Sequence, residues 1–329
     1  MTRDSSLPTP VLVRHLRGHD ETRQQHSRAT RKGREVRVGR GAYVEREAWE
    51  ALARTEKQWV RLNAYARTRA RAPIFSHWSA AVLHGLPFAD ERTGDIHVAV
   101  GSTAGGRSAK GVRAHSVRVP DEDIVEIDGM RCTDLARTVV DVAATSPMRE
   151  AVAVADHVLC GASARSANEH SEEVRRALLD AWMRAQPLRG HRRALEAISF
   201  ADGGSESVLE SVSRVAMYEA GFPKPELQKS FADARGRIGY VDFAWPDFRI
   251  IGEADGDAKY LDAALRGGRT AERVVLEEKI REDRLRALGW TVVRWRWPAV
   301  QHPAELVAAL TAAGLPADPR RRWDDCGVS

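Results

Sequence analysis

Long apolar runs, a cysteine framework and a strong net charge are all missing from this 329-residue sequence. No stretch approaches the roughly 18 uninterrupted apolar residues read as a membrane span, so no membrane partner is expected. The opening MTRDSSLPTPVLVRHLRGHDE lacks the apolar core of a secretory signal, and the expected location is cytoplasmic. Cysteine appears three times, at Cys132, Cys160 and Cys326, with no CxxC spacing, so neither disulfides nor structural zinc is expected. His15, His19 and His26 lie near one another in sequence, but no Cys or carboxylate set completes a ligand group. No GxxxxGK[ST] occurs, which argues against ATP dependence within the chain. Gly 25 and Pro 14 are ordinary counts that exclude collagen-like and low-complexity classes.

What remains is ample core material: 43% of residues are hydrophobic and 29% charged, too apolar for a disordered chain. The length is about twice that of a common single domain, so two domains are the default. Lys+Arg 51 against Asp+Glu 46 leaves +5, and the basic residues are concentrated locally. Arg14, Arg17, Arg23, Arg28, Arg31, Lys32, Arg34, Arg37 and Arg40 face only Asp20, Glu21 and Glu35 in the same stretch. Such a cluster fits contact with a phosphate backbone, and equally an arginine-rich solvated surface.

Residues 1–70 read as a winged-helix-like DNA-binding unit. VLVRHLRG has the apolar spacing of a short helix (Val11, Val13, Leu16), and REVRVGRGAYV alternates around a Gly39-Arg40-Gly41 turn. Arg37 and Arg40 would then sit on a basic wing. A helix over 46–71 follows, then SHWSAAVLHGLP, with Ser76 as its N-cap and Gly85 as its stop. Residues 71–200 read as a small α/β region. Strand-like DIHVAV, VRAHSVRVP and DIVEIDG precede helical CTDLARTVVDVAAT, with Thr133 as a cap, and REAVAVADHVLCG. A Gly/Ser-rich turn near 202–205 marks the boundary to a third segment, 201–315, followed by a tail, 316–329, expected to be flexible. RVGRGAYV, SAAVLHGLP, the strand region and CTDLARTVVDVA together resemble the antitoxin-like family of type IV toxin–antitoxin systems over about residues 8–160. The resemblance implies DNA binding or regulation, with a cognate toxin as partner.

The stretch GYVDFAWPDFRIIGEADGDAKY carries the chemistry. It reads as two strands around a Pro246-Asp247 turn. Pairing Trp245 with Phe248 puts Val241, Phe243, Trp245 and Ile250 on an apolar face and Asp242, Glu253 and Asp255 on the other. Asp242 and Glu253 become diagonal neighbours, with β-carbons about 7 Å apart. A three-residue turn would place them on opposite faces. Solvated carboxylates are common on strands, but this aromatic- and Ile-rich pair should be central, where clustered carboxylates repel unless a cation sits among them. A divalent cation with oxygen ligands fits.

Upstream, Glu210 lies on a helix, SESVLESVSRVAMYEAG, where it either reaches the metal or closes a capping box with Ser207. Downstream, AERVVLEEKIREDRLRALGW is a helix expected to turn Leu276, Ile280 and Leu288 inward, with Glu277/Arg281 and Glu282/Arg286 as i,i+4 surface pairs. WTVVRWRWP then reads as a strand and PAELVAALTAAG as a closing helix.

LES at 209–211, VDFAWP at 241–246, GEADGDAKY at 252–260 and EKIREDRLRALGWTVVRWRW at 278–297 resemble the PD-(D/E)XK nuclease superfamily, in the branch similar to very-short-patch-repair endonucleases. The resemblance implies a restriction-endonuclease-like mixed sheet flanked by helices, with Mg2+ (or Mn2+) on Asp242 and Glu253 and support from Glu210. It departs at the usual lysine position, two residues after Glu253, where this chain has Asp255. Lys259 or Lys279 would have to supply that cation.

The expectation is therefore an α/β (α+β) protein: a metal-dependent DNA endonuclease acting in repair or in defence against foreign DNA, with a repair or defence protein as a further partner. Its expected catalytic residues are Glu210, Asp242, Glu253, Asp255, Lys259 and Lys279; Asp242, Glu253 and Asp255 hold the metal, and Arg37, Arg40, Arg284 and Arg294 contact DNA. The alternative is a non-catalytic DNA-binding regulator or antitoxin with a degenerate nuclease domain.

Overall fold

The computed structural model describes residues 7–12, 19–88, 94–101, 108–160, 167–256 and 271–323. Lys259 and Cys326 lie outside them. The fold is mixed α/β, with three sheets of mixed strand orientation. The chain divides into two compact units, the first formed by 1–86, 90–142 and 180–189, the second by 87–89, 143–179 and 190–329.

In the first unit, β1 (Val11–Leu12), β2 (Glu35–Gly39) and β3 (Ala42–Glu45) form a sheet in the order β1-β3-β2. The hairpin turns at Arg40-Gly41, as the sequence indicates, with Gly41 at φ 67. Val11 and Leu12, expected in a helix, are extended and pair with Tyr43 and Ala42. Two residues cannot establish a helical period, and the ladder offers their backbone groups partners. The helices here are α1 (His19–Arg31), α2 (Arg46–Glu50) and α3 (Arg54–Arg67). Leu12, Val38, Ala42, Val44, Val60 and Ala64 make the local core.

A five-stranded sheet, ordered β6-β5-β4-β8-β7, comprises β4 (Ile74–Phe75), β5 (Ile96–Val100), β6 (Val112–Ser116), β7 (Ile124–Ile127) and β8 (Met130–Thr133). It packs against α4 (His77–His84), which starts after Ser76 and ends at Gly85, whose φ of 74 suits glycine. The next helix, α5 (Leu135–Thr145), is capped by Asp134, not Thr133: Asp134 Oδ1 accepts the Arg137 N–H at 2.7 Å.

The second unit contains α6 (Met148–Leu159), α8 (His191–Phe200) and α9 (Val208–Glu219); α7 (Ala167–Arg184) has residues in both units. Its sheet, ordered β12-β11-β10-β9, has β9 (Glu226–Asp233), β10 (Gly236–Trp245), β11 (Ile250–Ala254) and β12 (Thr291–Trp295). β11 runs antiparallel to β10 and parallel to β12, so β10 and β11 are the central pair. Leu285 of α10 (Ala271–Ala287) packs with Phe231, Val241, Ala244 and Ile251. On α9, Ser213 accepts the Trp295 indole N–H at 2.8 Å, and Trp295 stacks on Phe243. Gly252 permits this packing, since a β-carbon there would lie 2.5 Å from the Trp295 ring. Two short helices, α11 (Trp297–Gln301) and α12 (Pro303–Ala312), close the fold.

Three expectations are corrected here. Leu276 and Ile280 are 58% and 48% exposed, whereas Leu285 is buried. The N-terminal half of α10 instead brings charged side chains to the sheet. Residues up to Trp323 are anchored where a flexible tail was expected: Trp323 stacks on Phe200 and donates its indole N–H to Phe222 O at 2.9 Å. The β10–β11 pairing also differs, as described next.

Candidate active site

The Pro246–Phe248 segment forms a 3-10 turn, and Arg249 follows in the left-handed region at φ 52. The loop therefore takes four residues, and Trp245 pairs with Ile250, not Phe248. This moves the register by two, which leaves every side chain on its expected face. Continuing the Phe243–Gly252 rung by one sets Asp242 opposite Glu253, as direct rather than diagonal neighbours. Glu253 in turn pairs with Arg294 on β12.

Asp242 Oδ2 accepts the Ala254 N–H at 2.7 Å, which ties the two strands together at the acidic end. Glu253 is 6% exposed. Burial, reinforced by the charge of Asp242, pushes its carboxyl up to about 7 despite the nearby Arg281 and Arg294. Arg281 Nη2 stands 3.0 Å from Glu253 Oε1. The two groups form an ion pair without an aligned hydrogen bond, and Oε1 is buried.

Glu210 takes the capping place at the start of α9, with its reciprocal bond one residue earlier than in a capping box. Ser207 accepts the Glu210 N–H at 3.2 Å and donates its hydroxyl to Oε1 at 2.7 Å, while the Glu206 N–H reaches Oε2 at 3.0 Å. The same carboxyl is pushed up to about 7 by burial and then by Asp242. Gln228 of β9 donates its amide to Glu210 Oε2 at 3.3 Å.

Asp255 stands apart from these three. Its carboxylate accepts from Arg294 at 3.0 Å, and Arg294 also holds Glu278 at 2.8 Å and Glu282 at 3.0 Å. Arg294 is thus engaged by three carboxylates, and Arg284 is held by Asp233 at 2.6 and 2.8 Å. Both were expected to contact DNA. Lys279 is exposed on α10. Among the described residues, Arg281 approaches Glu253, and it also donates to the Tyr240 carbonyl. Sequence spacing paired Arg281 with Glu277, but Glu277 pairs with Arg273 at 3.0 Å. Glu282 and Arg286 do pair, at 2.6 Å. Gln228 and Arg281 were not read as site residues. The one signal for them is position, since Gln228 follows Leu227 into the rung opposite Asp242 and Arg281 lies four residues before Leu285. In the first unit, Arg37 and Arg40 are exposed at the β2–β3 hairpin.

Among the described residues, no three His, Cys, Asp or Glu side chains are grouped closely enough to hold one metal ion as they stand. In chemistry, Glu210, Asp242 and Glu253 fit a hard divalent cation: their donors are all carboxylate oxygens, and two of the groups are destabilised as anions by burial and by the charge of Asp242.

A second concentration of titratable groups, unmarked by sequence spacing, lies in the first unit. His77 and His115 stack with ring centroids 3.5 Å apart, and His97 Nδ1 is 3.0 Å from His115 Nε2. Buried Asp141 approaches His77 at 3.9 Å and accepts from the fully buried Arg137 at 2.9 Å. Burial and neighbouring positive charge hold His97 and His115 down at about 4. The face-to-face stacking of His77 and His115 does not aim their nitrogens at a common centre.

No family model and no solved structure matches the chain. Two mycobacterial proteins do: "Uncharacterized protein MT2308" of Mycobacterium tuberculosis (strain CDC 1551 / Oshkosh) and "Uncharacterized protein Rv2248" of strain ATCC 25618 / H37Rv. Each is 31% identical over 272 residues, covering 83% of this chain and 89% of the relative. The chain belongs to the family of these two proteins. Among the described residues of this family member, no helix is long and apolar enough to cross a membrane.

Proposed function

We propose that the second unit is a metal-dependent DNA endonuclease whose site is Glu210, Asp242 and Glu253. The observation that carries this reading is the cross-strand juxtaposition of Asp242 and Glu253, with Glu253 and the nearby Glu210 both raised to about 7 by burial and by the charge of Asp242. Perturbed carboxyls of this kind concentrate at functional sites, and a cation among them would offset the cost of ionising them. Glu210, Asp242 and Glu253 would hold Mg2+ or Mn2+, which supplies activation of water and neutralisation of the scissile phosphate.

The chain's own groups do the rest. The Asp242–Ala254 hydrogen bond fixes the carboxylate against β11. Glu210, held by Ser207, Glu206 and Gln228, would present its carboxylate from α9. Arg281, 3.0 Å from Glu253 Oε1, would supply positive charge at the site and hold a phosphate oxygen. Exposed Arg37 and Arg40 would contact the DNA backbone.

The competing proposal is a DNA-binding regulator or toxin-neutralising protein with a silent nuclease fold. It is favoured by one observation: Arg281 and Arg294 already pair with Glu253 and Asp255. The two readings separate when gel shift and nicking are read on the same DNA, using plasmid, mismatched duplex and single strand with Mg2+, Mn2+ or EDTA. Nicking that needs metal supports the enzyme. A shift without cleavage on every substrate supports the regulator.

A further inference from the structure

We propose that Gln228 is the positioning residue that holds the Glu210 carboxylate toward Asp242, an inference that rests on the nuclease reading of this site. Gln228 is the third residue of β9 yet has φ 47, the left-handed region that a non-glycine residue in a strand rarely occupies. The adjoining rungs are Leu227–Phe243 and Lys229–Val241, so Gln228 stands opposite Asp242. Strain of this kind persists where the surroundings over-determine it, and it concentrates at functional sites.

The second observation is independent of the backbone. Glu210 receives its other hydrogen bonds, from Ser207 and Glu206, from its own helix N-terminus. Those contacts alone would let it serve as a cap. The Gln228 amide, at 3.3 Å, is the hydrogen bond it receives from the sheet among the described residues. An amide suits this place because it donates without adding charge, leaving the carboxylate's net charge available to a cation. A lysine here would neutralise Glu210, and a glutamate would repel it.

The test uses the full-length chain. Gln228→Gly relieves the left-handed strain while deleting the amide, and Gln228→Asn tolerates that backbone but carries a shorter amide. Three readouts are compared with wild type: thermal midpoint, kcat and KM for plasmid nicking with Mg2+, and the place of the Glu210 carboxylate in crystals. The expected result is an unchanged or higher midpoint for Gln228→Gly, together with a fall in kcat of roughly 10- to 100-fold at similar KM, the usual cost of losing an outer-shell partner. Glu210 should leave its place beside Asp242 in both variants. A Glu210 carboxylate unmoved in Gln228→Gly overturns the proposal whether or not the protein cleaves DNA. Displacement of Glu210 in the variants, when wild type itself never cleaves DNA, leaves the positioning role standing and removes the nuclease reading.

Discussion

Acid should weaken the first unit through its histidine stack, and the size of the effect follows from one residue. His97 is buried beside His115 and Arg113, with Asp95 as its compensating charge, and titrates at about 4 instead of near 6.5. In the unfolded chain His97 binds its proton about 2.5 units earlier, and each unit is worth about 1.4 kcal/mol, giving a loss of about 3 kcal/mol. The sign follows from linkage: the folded-state pKa is depressed, so the stability is intact above pH 6.5, falls as pH drops from there to about 4, and then levels off. His115 acts in the same direction but is more exposed, and His77 adds to it from behind the stack. Asp141 opposes all three. Burial raises its carboxyl to about 6, so its contribution is present at low pH and lost as pH rises through 6. The raw pH dependence therefore mixes two signs, and the difference between wild type and His97→Gln isolates the histidine term. Hydrogen exchange of peptides covering β5 and β6, corrected for intrinsic rates, should show wild type losing about 2.5 kcal/mol more protection than His97→Gln between pH 7.5 and 4.5. Equal losses in the two proteins would refute the reasoning.

Other consequences can be measured in parallel. Arg137→Met should destabilise the protein by about 3–5 kcal/mol in urea unfolding, because it leaves Asp123 and Asp141 buried without their shared guanidinium. Gly190→Ala should lower the thermal midpoint, since the new β-carbon would lie 2.1 Å from the Ala144 carbonyl at a φ of 84. In the second unit, the raised carboxyls of Glu210 and Glu253 contribute stability that is lost as pH rises through about 7. Mg2+ should therefore raise the thermal midpoint at pH 8, barely at pH 6, and not after Asp242→Ala, as differential scanning fluorimetry would read. Nicking should rise with pH across the same window.

The sequence exposed the central hairpin because its alternation segregates aromatic from acidic residues, and that segregation survives the four-residue turn. It could not foresee that turn, because the left-handed Arg249 is a residue type with no turn preference. The same limit applies to Gln228, whose backbone is set by tertiary context. α10 misled for a different reason. Leu276 and Ile280 have helical spacing with Leu288, but the strand face beneath the first half of the helix carries Glu253 and Arg294, and charged side chains take the inward positions there. His77, His97 and His115 come from three elements spread over 39 positions, so no local spacing could unite them.

The most direct test of the central claim is supercoiled-plasmid nicking by wild type, Asp242→Asn and Glu253→Gln at pH 8, with Mg2+ or Mn2+ and with EDTA. The account predicts metal-dependent nicking by wild type, abolished by EDTA and reduced at least a hundredfold in either isosteric variant, about 3 kcal/mol of transition-state stabilisation. Nicking that survives in both variants would contradict it.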